Sequence, residues 1–356
     1  MIISSCIYPK LIELLRKQPD CVLATVVSTQ GSTPQKAGSS ALIGANGLLT
    51  GTIGGGMTEL KVIQQSKLLL KSKKSGLFSF ELHGEIAKGS ESICGGNMTI
   101  LLDSTPELHL PVFTQLQNSL RHRSKGILLT LIDESNQELK ITRQWISDMN
   151  YWPFEEELRT TIEPAISEMF RNPVADHCRI IPQNGLETLA NGLAFLELIL
   201  PKPALIIAGA GHIGQSLAHL GKFLGFEVTV WDDRAEYTNQ NLIPDANDVL
   251  SGAVEDSLGK INIREDSYLV IATHGHKSDA DVLRKYIVSN AAYIGMIGSR
   301  AKVSQMKASF LENGWATPEQ WEKIYSPVGL DIGAKTVDEI AISIAAELIK
   351  VRNQKS

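Results

Sequence analysis

Three consecutive glycines, Gly54–Gly56, interrupt the sequence GTIGGGMTEL just before a run whose apolar residues recur at helical spacing. Glycine accepts backbone conformations that side chains disfavour, and it lets the main chain approach another group closely. The stretch therefore predicts either a tight turn or a backbone cradle for a charged ligand. Glu59 follows on the first turn of the predicted helix, where the helix dipole favours an acid. A phosphate bound at the same place would be repelled by that carboxylate.

A second glycine pattern has the spacing GxGxxG in the stretch GAGHIG, with His212 inside it. Its glycines are Gly209, Gly211 and Gly214. The pattern follows an apolar strand and opens a predicted helix, and the next strand ends at Asp232, beside Arg234. In dinucleotide-binding folds the glycines permit a tight turn, close approach of a pyrophosphate and helix packing, while the acid accepts from ribose hydroxyls. The pattern predicts an NAD(P) or other nucleotide site; the alternative is a Rossmann fold that has lost its nucleotide.

Further polar residues follow the next two predicted strands. The candidates after YLVIAT are His274, Gly275, His276, Lys277 and Asp279, and those after AAYIGMIG are Ser299, Arg300 and Lys302. Open α/β sheets bind ligands at the carboxyl ends of their strands, so these residues are candidates for contact with phosphate or substrate. For the histidines we expect hydrogen bonding or proton transfer rather than metal binding, since no other ligand lies at metal-site spacing. The alternative for Arg300 is a solvated helix start.

Strands and helices alternate throughout the C-terminal part, which begins after a linker marked by Pro201 and Pro203. The predicted strands are ALIIAG, EVTVWD, SYLVIATHG and AAYIGMIGS, and the predicted helices are GHIGQSLAHLGKFLG, ADVLRKYIVSN and TVDEIAISIAAELIKVRNQ. This alternation predicts a Rossmann-like, doubly wound parallel sheet over residues 203–356. Thr336 and Glu339 have the spacing of a capping box for the last helix.

Residues 1–200 predict a mixed α/β domain, in which a middle segment of about 111–200 is the least defined part. The turn signal Asn46-Gly47 between apolar runs predicts a hairpin. The stretches CVLATVVST, LFSFEL, NMTILLD and GILLTLID predict strands, and MTELKVIQQSKLLLKSKK and EEELRTTIEPAISEMFR predict helices, the second with Pro164 at its start or at a kink. The fold class predicted for the whole chain is therefore α/β, with a Rossmann-like C-terminal domain.

Composition excludes several classes of protein. The 356 residues are 43% hydrophobic and 21% charged, with a formal net charge of -5, so neither nucleic acid nor a membrane surface is an expected partner. No apolar run approaches the roughly 20 residues of a membrane span. The first residues lack the pattern of a signal peptide, which favours a cytoplasmic location. The four cysteines, Cys6, Cys21, Cys94 and Cys178, have no metal-ligand or redox-motif spacing.

Taken together, these stretches resemble the XdhC/CoxI family, accessory proteins for molybdenum hydroxylases such as xanthine dehydrogenase. Its elements are similar to GSTPQKAGSSALIGANGLLTGTIGGGMTEL, SICGGNMTILLD, LELILPKPALIIAGAGHIGQSLAHLGKFLGFEVTVWDDR, YIGMIGSRAK and VGLDIGAKTVDEIAISIAAELI. The resemblance implies a protein that transiently binds the molybdenum cofactor (molybdopterin), protects it, and supports its sulfuration and insertion into the apo-hydroxylase. It also implies a homodimer, and a cysteine desulfurase is a further expected partner. A turnover of its own is not expected.

Two residues depart from the family pattern. The family commonly has a cysteine after the triple glycine, and this chain has Met57; the arginine after the family's proline is Gln35 here. A thioether is a weak ligand and no nucleophile. If a thiol takes part in the function, the resemblance therefore places that role on Cys94. The alternative is that Cys94 is only a small buried residue in a turn. Within the family pattern Gly54–Gly56 and Glu59 become a cradle for the pterin or its partner groups rather than a phosphate loop.

Two other functions are compatible with parts of the sequence. An NAD(P)-dependent oxidoreductase would use the GxGxxG segment, with His274 or His276 as proton donor, but no recognisable catalytic pair accompanies them. Asp232 would favour NAD over NADP, although Arg234 leaves room for a 2′-phosphate. A complete xanthine dehydrogenase is disfavoured, because the cysteines form no iron–sulfur ligand set.

Overall fold

The structure is a computed structural model that describes residues 7–17, 20–82, 95–134, 139–148, 156–172, 177–182 and 192–354. The chain forms two compact units, Ile2–Pro201 and Lys202–Ser356. Each has its own sheets and its own core.

The N-terminal unit contains two antiparallel sheets. The first has the order β3-β2-β1-β5-β4 and the second the order β7-β6-β9-β8. The strands are β1 (Cys21–Gly31), β2 (Ser40–Gly44), β3 (Gly47–Gly51), β4 (Gly76–Leu82), β5 (Gly96–Asp103), β6 (Gly126–Asp133), β7 (Lys140–Ile146), β8 (Cys178–Pro182) and β9 (Gly192–Ile199). The helices are α1 (Tyr8–Arg16), α2 (Gly56–Ser72), α3 (Leu110–Arg121) and α4 (Glu156–Arg171).

Each helix buries one apolar face on a sheet. Helix α2 places Val62, Leu69 and Leu70 in a cluster with the strands of the first sheet, and α4 places Ile162 and Ile166 against β6 and β9. Burial of such aliphatic side chains contributes about 1.5–3 kcal/mol each. The predicted hairpin is confirmed, since β2 and β3 pair up to Gly44 and Gly47 with a two-residue loop between them.

Several of the polar side chains buried in the N-terminal unit form ion pairs or hydrogen bonds. Asp103 and Arg143 form a buried ion pair, and Arg143 also lies 3.2 Å from the Nδ1 atom of His109. Burial lowers the pKa of His109, and the Arg143 charge lowers it further. Tyr8 donates a 2.9 Å hydrogen bond to Glu197, whose burial raises its pKa to about 7. These groups belong to the core rather than to either glycine-rich segment.

The C-terminal unit contains a six-stranded parallel sheet with the order β12-β11-β10-β13-β14-β15. The first strand of the unit lies in the middle and the order reverses there, which is the Rossmann arrangement. The strands are β10 (Ala204–Ala208), β11 (Glu227–Asp232), β12 (Asp248–Ser251), β13 (Ser267–Ile271), β14 (Tyr293–Met296) and β15 (Ile324–Tyr325). The helices are α5 (His212–Phe223), α6 (His276–Tyr286), α7 (Arg300–Glu312), α8 (Pro318–Trp321) and α9 (Val337–Gln354). The predicted parallel sheet is confirmed.

The two faces of this sheet carry separate cores, one under α5 and α9 and the other under α6 and α7. Alternate residues of β10 therefore point to opposite layers, with Leu205 and Ile207 on one side and Ile206 on the other. The predicted capping box of the last helix is also confirmed. The backbone N–H of Glu339 donates to Thr336 Oγ1 at 3.3 Å, and the Glu339 carboxylate accepts from the N–H of Thr336 at 2.9 Å.

Candidate functional site

Separate glycine-rich segments meet at one end of the first N-terminal sheet. Gly31, the last residue of β1, pairs with Gly96, the first residue of β5. A Cβ atom on Gly31 would lie 2.8 Å from the carbonyl oxygen of Gly95, and one on Gly96 would lie 2.5 Å from that of Gln30. Both positions therefore require glycine for packing. The fold thus brings the segment after β1 beside the glycine pair that opens β5.

The triple glycine forms the turn that leads into α2. Gly54, Gly55 and Gly56 have φ angles of +127°, +70° and +58°, which side chains rarely adopt. A Cβ atom on Gly54 would lie 2.7 Å from Pro34 Cγ, whereas Gly55 and Gly56 face open space. Gly55 caps α2 without any side-chain hydrogen bond to the helix. The first-turn N–H groups of a helix lack partners within the helix, so they are available here to a ligand.

The Glu59 side chain holds the turn from within. Its carboxylate accepts from Thr52 Oγ1 at 2.9 Å and from the N–H of Ile53 at 3.1 Å. Thr52 Oγ1 in turn accepts from the N–H of Gly54 at 3.1 Å. The carboxylate is thereby directed at the strand that enters the turn. Its negative charge nevertheless stays within the first turn of α2, and the exclusion of a phosphate from this loop stays a prediction.

The two departures from the family pattern have different surroundings. The side chain of Met57 is 67% exposed at the start of α2. Gln35 accepts a 2.9 Å hydrogen bond from Ser39 Oγ and so stabilises the loop between β1 and β2. Cys94 lies outside the described residues, and its role stays a prediction. Its neighbour Gly95 is described, and it adjoins the end of β1.

A second cysteine, Cys178, lies against the loop between β1 and β2. The sequence gives no indication of this contact, because Cys178 is far from that loop along the chain. A Cβ atom on Gly38 would lie 2.5 Å from the Sγ atom of Cys178, which is on β8 of the other N-terminal sheet. The thiol is partly exposed. Cys21 differs, because burial raises its pKa to about 11 and leaves it an unreactive core residue.

The glycines of the C-terminal GxGxxG segment form a tight turn between a strand and a helix. A Cβ atom on Gly209 would lie 2.1 Å from the carbonyl oxygen of Ala272, and one on Gly214 would lie 1.9 Å from that of Gly209. Gly211, which caps α5, faces open space. His212 follows it and is exposed. The packing of two glycines and the openness of the third are the features that nucleotide binding uses.

Asp232, the predicted ribose acceptor, is engaged within the protein. It is 1% exposed, and it accepts from the N–H of Ala210 at 2.8 Å and from Arg234 Nε at 2.9 Å. Burial alone would raise its pKa, but the hydrogen bonds from Arg234 and Ala210 lower it to about 2. Arg234 also lies over the ring of Tyr237, 3.9 Å from its centroid. The carboxylate thus ties the glycine loop to the end of β11.

The neighbouring acid is more accessible. Asp233 accepts from Ser278 Oγ at 3.2 Å, and it lies 3.5 Å from His274 Nδ1. Ligand atoms of Asp232, Asp233 and His274 lie within 4.8 Å of one another. The hydrogen bonds of Asp232 to Arg234 would have to break before a metal ion could take this place, so the cluster does not indicate a metal site.

The remaining histidine and the start of α7 lie at the same edge of the sheet. His276 is exposed at the start of α6, where it lines a shallow cleft with Arg284 and Trp315. Ser299 caps α7 and accepts from the N–H of Lys302 at 3.3 Å, and Arg300 is exposed. All of these candidates therefore lie at the carboxyl ends of the strands.

One candidate carboxylate at this edge is engaged within the protein. Asp279, in the first turn of α6, is fully buried. It accepts from Lys302 Nζ at 2.7 Å and from Thr273 Oγ1 at 2.6 Å. The ion pair joins the loops that follow β13 and β14. The positions of Asp279 and Lys302 after the strands make both of them candidates in the sequence, but their pairing with each other is visible only in the structure.

Comparison with known proteins gives two family matches. Residues 205–348 match the XdhC Rossmann domain, and residues 14–81 match the XdhC and CoxI family. Together the two matches span more than half of the chain.

Individual proteins are similar along almost the whole chain. A probable xanthine dehydrogenase subunit of Bacillus subtilis is 29% identical over 96% of each chain. An uncharacterized protein of Escherichia coli, YqeB, is 26% identical over 93% of this chain but only 43% of its own length. The crystal structure of a xanthine dehydrogenase from Bacillus halodurans has a TM-score of 0.76 and 25% identity, covering 98% of this chain and 96% of that one.

None of the helices within the described ranges has the length and apolar character that crossing a membrane would require.

Proposed function

The chain belongs to the XdhC and CoxI family, and on that premise we propose that it is an accessory protein of a molybdenum hydroxylase such as xanthine dehydrogenase. In this proposal it binds the molybdenum cofactor, protects it, and helps to sulfurate it and insert it into the apo-enzyme. The cofactor is the protein's cargo. A homodimeric state and contact with a cysteine desulfurase are parts of the same proposal.

The triple-glycine turn is the observation that supports this proposal. Gly55 and Gly56 face open space, and the first turn of α2 has no side-chain cap. Main-chain N–H groups presented in this way suit an anionic, hydrogen-bonding pterin. Glu59 is directed at Thr52 and Ile53, so it does not close the turn. The residues present therefore fit the polar part of the cargo.

Sulfur chemistry would need a thiol beside this turn. Met57 cannot supply a thiolate. Cys94 and Cys178 are the two candidates, the first from the family pattern and the second from its place against Gly38. Replacing each with serine separately, and measuring sulfuration of the released cofactor, would assign the role.

The test of the proposal is the retention and delivery of cofactor. The unaltered chain, purified under reducing conditions, should release a pterin that ultraviolet–visible and mass spectra identify. It should also activate a xanthine dehydrogenase prepared without its molybdenum cofactor. A chain that neither retains pterin nor activates this enzyme would refute the proposal.

Gly56→Ala supplies the variant and Gly314→Ala its matched control. Both glycines have positive φ angles, +58° and +66°, and both face open space. Each substitution should therefore cost a similar free energy of unfolding, about 1 kcal/mol. Only the change at Gly56 puts a methyl group where the cargo would approach. Equal retention by the two variants would exclude the turn as the cradle.

An NAD(P)-dependent oxidoreductase is a second candidate, favoured by the openness at Gly211. The engagement of Asp232 with Arg234 and Ala210 weighs against it, because a ribose would have to compete for that carboxylate. Calorimetric titration with NAD(H) and NADP(H) tests whether the chain binds a nicotinamide nucleotide. Saturable binding with a substrate-dependent change in absorbance at the nicotinamide band would favour the oxidoreductase, and absence of binding would eliminate it.

A further inference from the structure

One side of α2 presents apolar and basic side chains to the surface. We call this side the α2 outer face; its residues are Met57, Leu60, Lys61, Gln64, Lys67, Leu68 and Lys71, all exposed. At 3.6 residues per turn they occupy an arc of about 120°. The apolar members are exposed by 67%, 53% and 60%, in chain order. The residues that dock α2 on its own sheet, such as Val62 and Leu69, point away from this arc.

The charge of this face has one sign. Within the described ranges, none of its three lysines takes part in an ion pair. The acid nearest in sequence, Glu59, lies outside the arc and is engaged with Thr52 and Ile53. The whole chain nevertheless has a formal net charge of -5. A cationic patch with exposed apolar side chains on an acidic protein is typical of a contact surface for a partner of opposite charge.

Three kinds of partner are possible for this face, and its charged and apolar side chains distinguish among them. A second copy placed by a two-fold axis on this face would oppose lysines to lysines without a carboxylate between them. A membrane surface would take up a broad apolar stripe, but α2 has buried its broad stripe on the sheet and exposes only three apolar side chains between lysines. An acidic protein surface with apolar side chains at its centre would pair its carboxylates with the three lysines and bury the three exposed apolar side chains.

The same face adjoins the proposed cargo cradle. Met57 follows the open glycines directly, and Gly55 caps the helix whose outer face carries the lysines. We propose that the α2 outer face docks an acidic, partly apolar surface of the hydroxylase that receives the cofactor. This inference rests on the proposed function. It places the recipient beside the turn from which the cargo would leave.

The experiment compares four chains of 356 residues each: the unaltered chain, two variants of the α2 outer face and one control variant. Lys67→Glu/Lys71→Glu reverses two charges of the face. Lys222→Glu/Lys350→Glu, at exposed helical positions of the C-terminal unit, makes the same change in net charge elsewhere. Each chain is immobilised, and its affinity for xanthine dehydrogenase prepared without cofactor is measured at low and high salt. Pterin content is measured on the same preparations, and thermal unfolding verifies that each is folded.

We expect the variant of the α2 outer face to bind the apo-enzyme at least about tenfold more weakly at low salt and to lose most of the salt dependence. Its pterin content should match that of the control and of the unaltered chain. Leu60→Ser/Leu68→Ser should also weaken binding, but with the salt dependence kept, since it removes only apolar contact.

Four results would overturn the inference. Equal binding by the variant of the α2 outer face and the control would refute the docking surface while leaving the proposed function intact. Binding of the unaltered chain to vesicles of phosphatidylcholine and phosphatidylserine, with none to the apo-enzyme, would indicate a membrane contact instead. A change of oligomeric state in the variant, with apo-enzyme affinity unchanged, would indicate contact between copies. If the unaltered chain neither binds nor activates the apo-enzyme, the docking surface and the proposed function fail together.

Discussion

The two glycine-rich turns resemble each other in sequence but use glycine for different physical reasons. In the C-terminal turn, Gly209 and Gly214 are required because a Cβ atom would collide with main-chain oxygens about 2 Å away, at 2.1 and 1.9 Å. In the N-terminal turn, Gly55 and Gly56 would meet nothing, and only their positive φ angles call for glycine. Packing against main-chain oxygens therefore constrains the C-terminal turn at Gly209 and Gly214, whereas backbone conformation constrains the N-terminal turn at Gly55 and Gly56. A glycine pattern by itself does not separate these two cases.

Each turn also carries one carboxylate, and the two are bound differently. Asp232 is buried and accepts from both the C-terminal turn and Arg234. Glu59 is partly exposed and accepts from the residues that enter the N-terminal turn. We therefore expect substitutions in the C-terminal turn to act on stability, and those in the N-terminal turn to act on binding.

The largest effect is expected for Gly214→Ala. Its methyl group would meet the carbonyl oxygen of Gly209 at 1.9 Å, and neither backbone segment can move without disturbing β10 or α5. The free energy of unfolding should fall by about 3 kcal/mol or more. Urea unfolding of Gly214→Ala and Gly211→Ala measures the contrast. Gly211 has open space, so its variant should lose less than about 1 kcal/mol; equal losses would contradict the packing argument.

Asp232→Asn should have the next largest effect, about 2 kcal/mol, because a neutral amide bonds less strongly to Arg234. Folding lowers the pKa of Asp232 to about 2. The charged group therefore contributes its full stability above the pKa of an unfolded aspartate, about 3.9, and loses it as the pH falls toward 2. The difference in unfolding free energy between the wild type and the variant should shrink over that range.

Asp233→Asn is the control for this pH profile, since Asp233 is 36% exposed at its side chain. Because its contacts lie at the surface, this substitution should change the free energy of unfolding by less than about 0.5 kcal/mol. The difference in unfolding free energy between Asp232→Asn and the wild type could instead stay constant from pH 5 to pH 2.5. That result would show that the fold does not hold Asp232 in its charged form.

Glu59→Ala should cost about 1 kcal/mol, the contribution of hydrogen bonds near the surface. It removes the acceptor for Thr52 and Ile53, so the triple-glycine turn should lose order and pterin retention should fall. Glu59→Gln keeps an acceptor and serves as the control, with retention equal to or above the wild type. Hydrogen exchange of the amides around Gly54 measures the order of the turn. If Glu59→Ala and the wild type retain pterin equally, the order of the turn does not matter for binding.

Met57→Cys should change stability least, by less than about 0.5 kcal/mol, because the side chain is 67% exposed. It restores the cysteine that the family commonly has after the triple glycine. A gain in molybdenum retained per chain, measured by elemental analysis, is the expected result. Met57→Ser controls for the loss of the thioether. Unchanged retention in Met57→Cys would count against a metal contact at this turn.

Much of the fold could be predicted from local pattern. The alternation of apolar strands with helices in the C-terminal part predicted a parallel sheet, and the spacing of Thr336 and Glu339 predicted a capping box that the hydrogen bonds confirm. The helix after the triple glycine and the hairpin at Asn46-Gly47 were predicted in the same way. These signals are short-range, since they depend on residues two to four positions apart.

The sequence did not predict that the N-terminal unit divides into two antiparallel sheets. It did not predict β9 either, because the residues of β9 were assigned to the segment that leads into the linker. Residues of β9 pair with residues of β6 that lie 59 to 73 positions earlier in the chain, and such pairing leaves no local pattern in a sequence. The same reason accounts for Cys178 beside Gly38 and for the ion pair between Asp279 and Lys302.

The sequence by itself thus determined many of the strands and helices, where the chain turns on glycine, and which family the chain resembles, because these depend on residue types at short spacing. Only the tertiary structure decided which glycines are closed by packing and which are open to a ligand. It alone showed that the carboxylate of Asp232 is bound within the protein, and that α2 presents a cationic, partly apolar face. These properties depend on contacts between residues distant in the chain, which packing of the whole unit brings together.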